Sequence, residues 1–372
     1  MRLSRLALRH FRNLANQELE LPAEGVALIG DNAQGKSNFL EAIYYLETFR
    51  SFRGARDEQL VGFGEDVFRV VGSGSPVEGP SVEVAAAFEK RGKRKKVTVD
   101  GSEADGLGAA LGKLAAVIFS PSDVELVSGG PKERRRFLDI VLSLNEPGYV
   151  AALQDYRKVL ERRNASLKEG HAAAVVGAWN EGLVRAGTEV MAARRSWIEE
   201  GATAFAELYA RVGSEARARM TYRPSVRLEG VSSREDIGEA FREALADSSE
   251  KDRRFGVTTV GPHRDDVRLQ LDGAREGLDL RDYGSGGQRR TAALALRLVE
   301  ARTIVARRGS TPLILLDDVF AELDGGRSER VLELMDEEGT GQVVLTAPRE
   351  SDVRVKRDTL ARWRISGGVI SS

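Results

Sequence analysis

The chain has 372 residues, 41% hydrophobic and 30% charged, which suits two globular domains or one large domain carrying an insertion. It has no cysteine, so disulfides and thiolate metal sites are excluded and a reducing compartment is compatible. A net charge of −1 argues against a wholly basic nucleic-acid binder but leaves room for a local basic face. The 45 arginines against 11 lysines point first to genome composition and second to phosphate recognition.

The stretch Met1–His10 is basic and lacks an apolar h-region, so a secretory signal is not expected. It is also acid-poor, as a transit peptide would be, but it leads straight into a useful motif, so removal is not expected. Strands are expected at Leu3–Leu8, Leu19–Leu21 and Val26–Ile29. A helix starts at Lys36, with Phe39, Leu40, Ile43 and Leu46 on one buried face. Val67–Val99 reads as antiparallel strands interrupted by a basic turn, Lys90–Lys96, and Leu114–Phe119 as a further apolar strand. From Pro131 to about Val212 helices dominate. One carries a stripe of Val150, Leu153, Tyr156, Leu160 and Leu167 opposite a charged face. Strands return near Met220–Leu228 and Val267–Leu271, with a short helix around Ile237–Leu245 between them. Thr291–Ala306 is a helix, and Pro312–Leu316 and Gln342–Thr346 are apolar runs of the kind found in a central parallel strand. No repeat of 20–50 residues is present, and no run of about 18 apolar residues predicts a membrane span.

The two ends of the chain are therefore expected to build one sheet, with the middle an excursion from it. The fold expected is α/β: a head with a mixed sheet and an antiparallel β subdomain, and an inserted helical lobe. The boundaries are 1–130 for the N-terminal part of the head, 131–250 for the lobe and 251–372 for the C-terminal part of the head.

The chemistry lies in four motifs. Gly30-Asp31-Asn32-Ala33-Gln34-Gly35-Lys36-Ser37 fits G-x-x-x-x-G-K-[ST] in full, between a strand and a helix. Its glycines let backbone N–H groups point at phosphate oxygens, and the helix start adds a positive dipole end. Lys36 is expected to reach the β- and γ-phosphates of ATP, and Ser37 to ligate Mg²⁺. Asp317, after Leu313–Leu316, is expected to hold Mg²⁺ directly or through water, and Asp318 to polarise the attacking water. Ser285-Gly286-Gly287-Gln288 opens the helix preceding that strand, in the place of an ABC signature, and Asp324 in Ala321-Glu322-Leu323-Asp324 stands where a D-loop follows. Together the four motifs mark the head as an ABC-type P-loop ATPase head. In such proteins the signature caps a partner's ATP, so Ser285 would act in trans within a C2 homodimer that ATP draws together.

Several further stretches are similar to the RecF family. They are Leu8–Leu14 with its Phe11-Arg12-Asn13; Phe119–Asp123 with Leu126–Pro131 and Arg134, Arg135, Phe137, Leu138 and Asp139; Tyr156–Leu160 with Arg162-Arg163-Asn164; Gly261–Asp266; and Asp317–Asp324. The ordered set covers nearly the whole chain. The resemblance implies a cytoplasmic, nucleoid-associated protein that binds single-stranded and gapped or junction DNA in an ATP-dependent way. It also implies help from RecO and RecR in loading RecA, and a part in replication restart and SOS induction. Three departures from the ABC pattern stand out. The second Walker B acid is Asp318 where many ABC ATPases have glutamate, which suggests slow turnover. No switch histidine follows Thr346. Ser120–Asp123 occupies the Q-loop position without a glutamine. His263 is expected to make a structural hydrogen bond in its turn.

Arg134–Arg136, Arg162-Arg163, Arg194-Arg195, Arg289-Arg290 and the Lys90–Lys96 turn are the candidate DNA contacts. Two other readings remain open: a DNA-binding scaffold in which ATP is mainly a dimer switch, and the ATPase subunit of a transporter.

Overall fold

A computed structural model of the chain describes residues 1–76, 79–213, 217–272, 277–319, 325–337, 341–353 and 360–372. The chain divides into two compact units, one made of 1–124, 211–214 and 293–372, the other of 125–210 and 215–292.

The first unit contains two six-stranded sheets. In one, β3 (Gly25–Ile29), β8 (Ala116–Phe119), β12 (Leu313–Leu316), β13 (Val343–Ala347), β14 (Ala361–Ser366) and β15 (Val369–Ser371) lie in the order β15-β14-β3-β13-β12-β8. All neighbours are parallel except the terminal hairpin β14–β15. The two ends of the chain thus do share a sheet. β12 and β13 are buried along their whole length, as strands covered on both faces must be. The other sheet is antiparallel, in the order β2-β1-β4-β5-β6-β7, from β1 (Arg2–Arg9), β2 (Gln17–Glu20), β4 (Val67–Ser75), β5 (Val82–Glu89), β6 (Arg94–Val99) and β7 (Ser102–Glu103).

The helix Lys36–Thr48 touches β8, β12 and β13 of the first sheet and β4 and β5 of the second. This differs from the single buried face expected from its apolar spacing, since every residue from Phe39 to Thr48 is buried. Its two glutamates are buried with it and take arginine partners: Glu41 binds Arg12 and Arg53, and Glu47 binds Arg308. A second sheet covers the face that the sequence pattern assigned to solvent.

The second unit carries the helices Pro131–Asn145, Tyr149–Lys168, most of Asn180–Gly213, Arg234–Asp247 and Ser249–Phe255. It also carries a three-stranded sheet in which β10 (Asp266–Leu271) lies between β9 (Ala218–Arg223) and β11 (Leu278–Asp279). The boundaries differ from the sequence segmentation. Pairing of β9 with β10 in full register carries residues 251–292, and with them Ser285–Gln288, into the helical unit instead of the head. The stripe of Tyr149–Lys168 buries Leu153, Tyr156 and Leu167 and, on the same face, Arg163.

Candidate functional site

Strand β3 ends at Ile29 and the chain turns through Gly30–Gly35 into the helix at Lys36. Two positions explain the composition of this loop. A Cβ on Gly30 would lie 2.5 Å from the Ile365 carbonyl oxygen, and Gly35 sits at φ +115° with Asn13 Oδ1 2.9 Å from where its Cβ would be. Ala33 is also left-handed, at φ 66°. Such alternation is what turns consecutive N–H groups to one side as an anion-binding nest. The Lys36 ammonium donates to the carbonyls of Gly30 (2.8 Å) and Asp31 (3.1 Å), so it is folded back over its own loop.

Strand β12 delivers Asp317 to its carboxyl end, where the Ser37 hydroxyl donates to Asp317 Oδ1 at 2.7 Å. Two residues 280 positions apart in sequence therefore meet at the mouth of the loop. A hydroxyl and a carboxylate on adjacent elements are the oxygen donors a hard cation takes, so this pair fits Mg²⁺. Burial pushes the Asp317 carboxyl up, and the charge of Asp318 adds to that, against the bonds from Ser37 and Thr346. A dication beside it would favour the ionised form.

Asp318 is left-handed at φ 46°. Its N–H donates to Thr346 Oγ1 at 3.0 Å, and the same hydroxyl lies 3.1 Å from Asp317 Oδ1 and 3.4 Å from Asp318 Oδ1. Thr346, on the neighbouring strand β13, thus braces both acids. It stands close to where the sequence pattern lacked a switch histidine. Only its place at the end of a strand beside Asp317 marks it, and the linear sequence does not display that.

Beside the loop, Arg12 and Arg53 both bind the buried Glu41, whose carboxylate also accepts from Ser51. Burial works against that charge, but the bonds from Arg53, Arg12 and Ser51 outweigh it and hold the carboxyl below its ordinary range. Asn13 donates to the Ala33 carbonyl at 3.3 Å and accepts from Asn38 at 2.6 Å.

The signature stretch belongs to the second unit. Ser285 is exposed and caps the helix Gly286–Arg308. Its Oγ accepts from the Gln288 N–H at 3.2 Å, and Gln288 Oε1 accepts from the Ser285 N–H at 2.8 Å, a reciprocal capping box. With its lone pair engaged, the Ser285 hydroxyl keeps its own proton for an outside acceptor. Asp324 and the stretch 320–324 lie outside the described residues. At the Q-loop position, Asp123 is held by the Ser120 N–H and by Arg297 at 2.6 Å.

Several of the candidate DNA contacts turn out to be engaged within the protein, while Lys93, Arg94, Lys96 and Arg162 are exposed. Arg134 pairs with Asp266 at 2.7 Å and Arg135 donates to the Asp265 carbonyl. Arg163 and Arg194 are 2% exposed and bind Asp252 and Asp139. Arg289 donates to the Leu280 carbonyl. In the basic stretch, residues from Arg94 onward lie in β6. There Lys95 is drawn inward to Asp57, the Phe49 carbonyl and the face of Tyr45. His263 takes the structural role expected of it, with Nδ1 2.6 Å from the Tyr156 hydroxyl and Nε2 2.9 Å from the Thr258 carbonyl. Burial lowers it to about 4, so the ring is neutral.

A P-loop leaving the carboxyl end of one parallel strand, with an acid pair at the end of another two strands away, defines a nucleotide-binding head of the ABC/SMC kind. A family model described as RecF/RecN/SMC N terminal domain matches residues 2–369. The DNA replication and repair protein RecF of Anaeromyxobacter sp. (strain Fw109-5) is 36% identical over 375 residues, which cover 100% of this chain and 99% of that one. The protein of the same name from Synechococcus sp. (strain JA-2-3B'a(2-13)) is 39% identical, covering 91% and 89%. The solved structure of the recombination mediator protein RecF-ATP in the RecFOR pathway superposes with a TM-score of 0.90 at 32% identity, covering 100% of this chain and 97% of that one. An Smc head bound to the C-winged helix domain of ScpA, at TM-score 0.57 and 16% identity, shares the fold. The chain belongs to the RecF family of DNA replication and repair proteins. Among the described residues no helix is long and apolar enough to cross a membrane.

Proposed function

We propose that this chain binds ATP with Mg²⁺ and hydrolyses it slowly as a head-to-tail homodimer, and that it acts at single-stranded and gapped DNA. The observation that carries the reading is the 2.7 Å bond between Ser37 and Asp317, which brings together the two oxygen ligands expected of a Mg²⁺·ATP site. The bound cation would neutralise charge on the β- and γ-phosphates. Gly30–Gly35 supply N–H groups to the phosphates, and Lys36 swings from its own carbonyls to meet them. Asp318, braced by Thr346, orients water. Its shorter side chain accounts for slow turnover. Ser285–Gln288 and Asp324 of a second copy complete each site, so the nucleotide stabilises the dimer by mass action.

The relatives' role in DNA replication and repair, and the RecFOR pathway of the solved neighbour, support action with RecO and RecR in loading RecA, in replication restart and in SOS induction. They also disfavour the transporter reading. Sedimentation with and without ATP·Mg²⁺ and gapped DNA tests the proposal. We expect the dimer with ATP, and co-sedimentation with DNA only then. A monomer at saturating nucleotide, together with Ser285→Arg leaving turnover unchanged, would overturn it.

A second reading makes the chain a DNA-binding scaffold in which ATP is mainly a dimer switch. If Asp318→Asn dimers that no longer hydrolyse ATP still support repair, turnover is incidental and the scaffold reading holds.

A further inference from the structure

The hairpin β14–β15 turns at Gly367-Gly368, both left-handed (φ 56° and 82°), as a two-residue hairpin turn of the primed kind requires. This turn sits on the P-loop. The Gly367 N–H donates to Gln34 Oε1 at 2.6 Å, and the Gly368 N–H donates to the Gln34 carbonyl at 3.1 Å. On the neighbouring peptide, Asn13 Nδ2 donates to the Ala33 carbonyl at 3.3 Å. The turn is held in its own right. The Ala15 N–H donates to the Gly368 carbonyl at 2.9 Å, and the Gln17 amide bonds both the N–H and the carbonyl of Ile370. There is no slack, because a Cβ on Gly368 would lie 1.9 Å from the Asn13 carbonyl oxygen.

These contacts have a directional consequence. In a trans peptide the C=O and N–H point to opposite sides. Pinning the carbonyls of Ala33 and Gln34 outward therefore aims the N–H groups of Gln34 and Gly35 the other way. Those N–H groups belong to the part of the loop with unusual φ, which costs energy to hold without help.

We infer that the Gly367-Gly368 turn, with Asn13, is a positioning device for phosphate binding: it sets the P-loop's N–H groups before the nucleotide arrives, through Gln34. This deepens the proposed function and rests on it. Asn13, the two glycines and the Gln34 side chain and carbonyl are positioning groups, and none of them needs to touch the nucleotide.

The test uses the full chain and a fluorescent ATP analogue with Mg²⁺, reading Kd by titration, KM and kcat by steady-state hydrolysis, and folding by thermal melting. Gly368→Ala should raise Kd and KM about tenfold with kcat changed far less, as expected when only preorganisation is lost. Gln34→Met, which keeps length but removes the acceptor, should raise both about threefold. Gly64→Ala introduces the same left-handed strain, at φ +83°, where nothing lies within 4 Å, and should leave Kd unchanged. If Gly368→Ala does not fold, Gln34→Met decides alone. Wild-type Kd in Gln34→Met, or in both variants, overturns the inference while the functional reading stands. Failure of the wild-type chain to bind ATP removes both.

Discussion

The two units use buried charge in opposite ways. In the helical unit, buried arginines are matched to buried carboxylates and serve as struts. Arg163 binds Asp252, Thr258 and Asn180, and Arg194 binds Asp139, Tyr149 and the Pro262 carbonyl. In the head, Glu41 is matched by Arg12 and Arg53, but in a second cluster three buried carboxylates face two arginines. Around the helix Lys36–Thr48, Glu47, Glu300 and Asp123 share Arg308 and Arg297, and among the described residues Glu47 Oε2 and Glu300 Oε1 have no hydrogen-bond partner. A matched pair resists change in charge, whereas a surplus acid is discharged by taking up a proton.

Removing a strut gives the largest expected effect. Arg163→Ala leaves the Asp252 carboxylate buried and without its cation, which should cost about 3–5 kcal/mol of folding stability. Arg157→Ala, six residues away on the same helix, removes a half-exposed partner of Asp139 and should cost less than about 1 kcal/mol. Denaturant unfolding of the two variants checks this. Equal losses would mean that burial does not set the value of these arginines.

The braces on the acid pair come next. Thr346→Val removes the acceptor for the Asp318 N–H and should cost about 1–3 kcal/mol of stability. Because it frees the carboxylate expected to orient water, it should also lower kcat more than it raises KM. A change in KM alone would assign Thr346 to nucleotide binding.

The same contrast explains what could be read from the amino-acid sequence. Gly30–Ser37 and Leu313–Asp318 were legible because their chemistry is local: a glycine spacing, and an apolar run ended by acids. Arg162-Arg163 and Arg194-Arg195 look in sequence like surface charge, but one member of each pair is buried. Their partners Asp252 and Asp139 lie 89 and 55 residues away, so no linear pattern shows the match. The burial of Glu41 and Glu47 is hidden for a related reason, since helical periodicity marks one apolar face and a distant second sheet covers the rest. The hairpin 361–371 did carry a local signal, two alternating runs separated by Gly-Gly, although the site it supports lies more than 300 residues earlier.

Opposite pH dependences are expected in the two units. Burial, only partly offset by Arg308, pushes the Glu47 carboxyl from its ordinary 4.5 up to about 7. The folded state then holds a proton that the unfolded chain has lost. Stability from this group is complete below about 4.5 and drains away as pH rises to about 7. His263 has the reverse sign. Burial lowers it from 6.5 to about 4, so its contribution is complete above 6.5 and is lost as pH falls toward 4. The charged groups that face Glu47 are Arg308 and Glu300, and those around His263 are Arg264, Arg135 and Asp252. Glu47→Gln should flatten the decline between pH 5 and 7, and His263→Asn should flatten the rise over the same range, each by on the order of 1–3 kcal/mol. Unfolding free energies at pH 5, 6 and 7 separate the two signs. If both variants changed the slope in the same direction, surplus buried acid would not distinguish the head from the helical unit.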